Sequence, residues 1–100
     1  MKAIKHLEEN IHAEYCDAKN YIKLALKYKD SGEEALAKMY HELAEGEIDD
    51  AKTLHDMAVK IIKAIPEDKK PSEGMLQAYE ILHERDIEEA NEVKRLMEMY

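Results

Sequence analysis

Leu43-Ala44-Glu45-Gly46-Glu47-Ile48-Asp49-Asp50-Ala51-Lys52-Thr53-Leu54 is the stretch on which the reading of this chain turns. It sits inside a longer series, Leu36, Tyr40, Leu43, Glu47, Asp50, Leu54, Met57, Ile61 and Ala64. That unbroken alternation of four- and three-residue steps is the stripe a helix turns toward a bundle core. Two of its positions, Glu47 and Asp50, are carboxylates. A carboxylate facing an apolar interior must be satisfied by a cation, by hydrogen bonds or by a shared proton.

Working outward, residues 2–29 repeat the pattern with Ile4, Leu7, Ile11, Glu14, Ala18, Tyr21, Ala25 and Tyr28, again with one carboxylate on the stripe. Asp30-Ser31-Gly32-Glu33-Glu34 breaks the helix and reads as a capping box, with Ser31 as N-cap. So short a turn demands an antiparallel hairpin. The second helix is expected over about 33–65 and ends where Pro66 and Pro71 stand. Ser72 then caps a third helix over 73–100, whose stripe is Leu76, Tyr79, His83, Asp86, Ala90, Val93, Met97 and Tyr100. Met75, Leu82 and Leu96, with Ile87 nearby, make a second apolar row on that helix that a lone three-helix unit would leave partly exposed. The expected architecture is one all-α domain, an antiparallel three-helix bundle, with a partner subunit to cover that row.

Composition agrees with this reading and narrows the function. Of 100 residues only three are Gly and two Pro, and there is no Phe or Trp, so helix formers dominate. A net charge of −8 without a basic stripe argues against nucleic acid as partner. Apolar runs such as Ala58-Val59 are too short to span a bilayer and no signal peptide is visible, so a cytoplasmic protein is expected. The single Cys16 excludes a disulfide within the chain and reads as an exposed thiol. Lys19, Lys23 and Lys27 form a basic row suited to acids on a neighbouring helix.

Across the three stripes the groups that ionise near neutral pH are Glu14, Glu47, Asp50, His83 and Asp86, far fewer than a chain with 38% charged residues would place there at random. In a hairpin turning near Ser31, Glu14 lies level with Glu47. The long second connection brings Asp86 within a turn of Asp50 and His83 about one turn further on. Several carboxylates and an imidazole inside a bundle suit iron, manganese or zinc. The alternative is a metal-free polar core in which Tyr21, Tyr40 and Tyr79 donate hydroxyls, His83 pairs with Asp86 and one carboxyl stays protonated. The absence of Lys or Arg from the stripes favours the cation. His6, His12, His41 and His55 read as surface residues.

Glu14, Tyr21 seven residues later, and Glu47-Ile48-Asp49-Asp50 on the next helix resemble the first half of the ferritin-like and rubrerythrin-like di-iron carboxylate bundles. Those families place one Glu on the first helix and Glu-x-x-His on the second, repeated on a second helix pair. Glu80-Ile81-Leu82-His83 matches that motif literally on the third helix, although Glu80 lies off the stripe. Asp50 stands where the family has histidine, and three helices supply at most half of the usual double site. The resemblance implies a site built from Glu14, Glu47, Asp50 and His83, with Asp86 and Tyr21 as a further ligand or an outer-sphere group. It also implies iron, a homo-oligomer with a dimer favoured, and, if the protein is an enzyme, a di-iron oxidoreductase that oxidises Fe(II) with dioxygen or peroxide. Encapsulated ferritins, similar in their short subunits, complete such a site across a dimer. The rival reading is a non-catalytic helical scaffold or interaction module with a metal-free polar core.

Overall fold

The computed structural model describes residues 2–100, and all of its regular structure is helical. Helix α1 spans Lys2–Asp30, α2 spans Glu34–Ala64 and α3 spans Glu73–Met99, with one 3-10 turn at Glu67–Lys69 between the last two. The helices run up, down and up as a bundle 58 Å long and 18 by 17 Å across. Helix α1 packs closely along both of the others, whereas the backbones of α2 and α3 stand further apart and meet through stacked side chains. A groove of about 460 Å³ therefore remains between α2 and α3, with Tyr15 of α1 at its floor and Ile48, Lys52, Lys94 and Met97 among its walls.

The first turn differs from the capping box. Gly32 takes φ +80°, its N–H donates to Lys29 O, and the Glu33 N–H donates to Tyr28 O. This is a Schellman closure of α1, which needs glycine at the left-handed position. Ser31 is spent on that closure, its hydroxyl donating to Tyr28 O and to Glu33, and Glu33 takes the N-cap position of α2 with no side-chain cap. Ser72 does cap α3, its Oγ accepting from the Met75 N–H at 3.3 Å. Helix α2 stops at Ala64 because Ile65, preceding Pro66, is extended.

The hairpin is held by small residues. The buried positions of α2 are Ala37, Ala44, Ala51 and Ala58, one per heptad. On α1, Ile4, Ile11, Ala18 and Ala25 are buried at the same interval. About a turn at Ser31 these two sets stand level, Ile4 with Ala58 and so on to Ala25 with Ala37. This corrects the expected α2 stripe by one position. Tyr40, Glu47, Leu54 and Ile61 are half-buried beside the alanine row, but Leu43, Asp50, Met57 and Ala64 are exposed. Two helices approach most closely where their side chains are methyl groups, so the contact centres on alanine and the larger side chains splay to the flanks.

Helix α1 also buries a face that a single stripe does not describe. Glu8 and Ile22 are buried and Tyr15 half-buried toward α3, because a helix between two neighbours needs two contact rows. On α3, Asp86, Val93 and Leu96 are buried. Leu96 joins Ile22, Ala25 and Ala44 in the core and Leu82 is half-buried, while Met75, Ile87 and Leu76 stay exposed. The expected second apolar row on α3 is thus partly absorbed into the bundle. Lys19 pairs with Glu92 at 3.0 Å, and Lys29 contacts the Tyr100 backbone oxygen and lies over its ring. His41 stacks on the same ring at 4.1 Å between centroids.

Candidate metal centre

Glu14 of α1 and Glu47 and Asp50 of α2 come together at mid-bundle, with one oxygen from each within 4.8 Å of the others. The alanine seam is the cause. It sets the register that levels Glu14 with Glu47, and one helical turn places Asp50 beside them. Glu14 and Glu47 are half-buried and Asp50 is exposed, so the cluster opens from the seam to solvent. Glu14 Oε2 is itself buried and has no hydrogen-bond partner. None of the three makes an ion pair among the described residues. Three carboxylates held this close repel one another unless a cation or a proton joins them. A divalent or trivalent metal fits the donor set, which is entirely hard oxygen.

Tyr21 lies two turns along α1 from Glu14. Its ring stacks on Tyr40 at 6.1 Å, and Tyr40 stacks on Tyr28 at 5.8 Å. These rings form an aromatic layer above the carboxylates, with no hydrogen bond from Tyr21 to them.

His83 and Asp86 lie elsewhere, Asp86 on the seam between α1 and α3 and the exposed His83 against His55 of α2. Asp86 is buried and within hydrogen-bonding reach of Glu8, a residue that the single-stripe reading of α1 passed over. Burial above all, then the hydrogen bond and charge of Glu8, pushes the Asp86 carboxyl up to about 7. Arg85 and His12 oppose the shift, but Arg85 Nη2 stands 4.0 Å from Asp86 Oδ1, too far to donate. The signal that could have exposed Glu8 is its place in the heptad row Glu8, Tyr15, Ile22. His83 stacks on His55 of α2, their centroids 5.5 Å apart. His55 is half-buried, and its role was invisible because it flanks the α2 stripe on the side toward α3.

A third group joins α1 to α3 near its outer edge. His12 Nδ1 meets the Glu89 carboxylate at 2.7–2.8 Å, and His12 Nε2 is 3.7 Å from Cys16 Sγ. Cys16 is exposed, as its place on the helix implied, yet its thiol is pushed up by partial burial first and then by Glu89 and Asp17, so it stays protonated at neutral pH. The Tyr15 hydroxyl is likewise raised, by burial and then by Asp86 and Glu89. Comparison with protein-family models, with curated proteins and with solved structures finds no match. No helix among the described residues is long and apolar enough to cross a membrane.

Proposed function

We propose that the chain is a ferritin-like metal-binding protein that holds iron between Glu14, Glu47 and Asp50 and works as a homo-oligomer, most simply a dimer. The observation that carries this reading is the convergence of one oxygen each from Glu14, Glu47 and Asp50 within 4.8 Å, with a buried, unpartnered oxygen on Glu14 and no ion pair to any of the three among the described residues. Asp50 in the position of a histidine makes the centre wholly oxygen-liganded and more anionic, which favours ferric over ferrous iron. Fe(II) held there would be the electron donor, giving ferric iron as dioxygen or peroxide accepts the electron. The protein's own residues neutralise the ion's charge, keep one side of it within the alanine seam and leave the Asp50 side open to an oxidant.

Helix α2 offers the surface for a partner. Leu43 and Met57, each one heptad from Asp50, are 41% and 49% exposed and continue the open edge of the site. An apolar row interrupted by one acid is the surface a second copy would cover, completing with its own carboxylates a site that one subunit half-supplies. A non-catalytic scaffold is the second reading, favoured by the exposure of Asp50, which lets water solvate it without a metal.

Elemental analysis of the purified protein, loaded anaerobically with Fe(II) and then exposed to air, separates the two. Near-stoichiometric iron in the wild type and none in Glu47→Ala is the expected result, with ferric absorbance growing in air. Equal metal in both proteins, together with an unharmed or stabilised Glu47→Leu/Asp50→Leu double variant, would leave the scaffold.

A further inference from the structure

The group of His12, Cys16 and Glu89 lies outside that centre and is chemically unlike it. Helix α1 presents His12 and Cys16 four residues apart on one face, and α3 brings Glu89 to them. A nitrogen of His12, the sulfur of Cys16 and an oxygen of Glu89 all lie within 4.8 Å of one another. Both Glu89 oxygens stand 2.7–2.8 Å from His12 Nδ1, which places the ring proton on that nitrogen and leaves the Nε2 lone pair facing the thiol at 3.7 Å. At ordinary zinc bond lengths of about 2.1 Å to nitrogen and about 2.3 Å to sulfur, that separation corresponds to an N–Zn–S angle of about 115°, close to tetrahedral. Cys16 is exposed and the other two are half-buried, so an ion reaches the group without opening the bundle.

We propose that His12, Cys16 and Glu89 bind one zinc-like divalent cation across the α1–α3 seam, through one nitrogen, one sulfur and one oxygen, with the fourth position left to water. The donors select the metal. Thiolate and imidazole favour zinc or cobalt over the hard ions that suit the all-oxygen cluster at Glu14. In the metal-free chain the three groups satisfy one another in a row, the thiol donating to Nε2 and Nδ1–H to Glu89. The ion takes the place of the thiol proton, which leaves to solvent, so Cys16 coordinates as the thiolate. Thiolate and carboxylate then cancel the charge of the dication, while the neutral imidazole adds none. The consequence for the fold is a clasp. His12 and Cys16 on one helix and Glu89 on the other fix α3 against α1, one turn from the Lys19–Glu92 pair.

The test titrates the reduced, chelator-treated protein with Co(II) in the absence of oxygen and follows its electronic spectrum, in which only a thiolate ligand gives a sulfur-to-cobalt charge-transfer band. One equivalent per chain should saturate that band together with the visible absorption of four-coordinate cobalt, and excess Zn(II) should bleach both. Cys16→Ser should abolish the charge-transfer band. His12→Ala and Glu89→Gln should each weaken binding by at least about tenfold, because loss of even an outer-sphere partner costs about 10–100-fold. Cys16 is exposed, so Cys16→Ser should leave the metal-free melting temperature unchanged, which separates lost binding from a lost fold. Three results overturn the proposal: no charge-transfer band in the wild type, saturation at one ion per two chains, as when the thiols of two copies share a metal, or undiminished affinity in either His12→Ala or Glu89→Gln. Glu47→Ala, which disables the Glu14 centre, should retain the band, so the two sites stand or fall separately.

Discussion

Helix α1 carries a carboxylate toward each neighbour, Glu14 toward α2 and Glu8 toward α3, and the two sides are built differently. The α2 side is closed by methyl groups, with Ala18, Ala25, Ala37, Ala44 and Ala51 fully buried. Its acids are displaced to the edge of the contact, where Asp50 reaches solvent. The α3 side is closed by polar pairs, Lys19 with Glu92 and His12 with Glu89, and its acids Glu8 and Asp86 are sealed inside. The difference teaches how a carboxylate is tolerated. At the open edge the carboxylates of Glu14, Glu47 and Asp50 are gathered where Asp50 reaches solvent. In the sealed seam Asp86 is pushed up to about 7 and retains a proton.

The contrast is breakable by substitution, and the largest effect belongs to the packed side. Ile11 is 2% exposed and stands level with Ala51, so Ile11→Ala should cost about 2–5 kcal/mol in urea denaturation. Next is the sealed acid pair. Replacing Glu8 and Asp86 together by Leu removes two orphaned oxygens, and the metal-free double variant should gain about 1–4 kcal/mol over wild type in the same denaturation. A destabilised double variant would mean that the α3 seam depends on those acids.

A pH series sharpens the same point. The folded protein holds a proton on Asp86 up to about pH 7, whereas the unfolded chain releases it near pH 4. This carboxyl therefore favours folding at low pH, and its contribution is lost as pH rises from about 4 through about 7. Asp86→Asn cannot ionise, so the melting temperature of the metal-free variant should gain on wild type between pH 5 and pH 8. A constant difference across that range would refute a shared proton. The smallest effect belongs to Lys19 and Glu92, a half-exposed pair. The Lys19→Ala change should cost no more than about 1 kcal/mol, a loss that shrinks further in high salt.

Much of the helical layout was legible in the chain because periodicity, glycine and proline act locally. Pro66 ends α2 through the residue before it, and Ser72 caps α3 by its own hydroxyl. The antiparallel turn at Ser31 was legible too, and with it the approach of Glu14 to Glu47. What one stripe per helix could not convey is that α1 has two partners, which is why Glu8 went unseen and why Asp86 was expected beside Asp50 and not beside Glu8. The alanine row was hidden for another reason. Hydrophobicity points to Leu43 and Met57, whereas close helix approach selects the smallest side chain, one position away. The choice of Ser31 as a cap failed because Gly32 drew it into closing α1 instead of opening α2.

A metal at Glu14, Glu47 and Asp50 would be seen most directly in an anomalous difference map, collected at the iron edge, from crystals of the Fe(II)-loaded, air-exposed protein. A peak at coordination distance from the oxygens of Glu14 and Glu47 is the predicted result. A map with no peak there, and with these three carboxylates solvated by water alone, would contradict the claim.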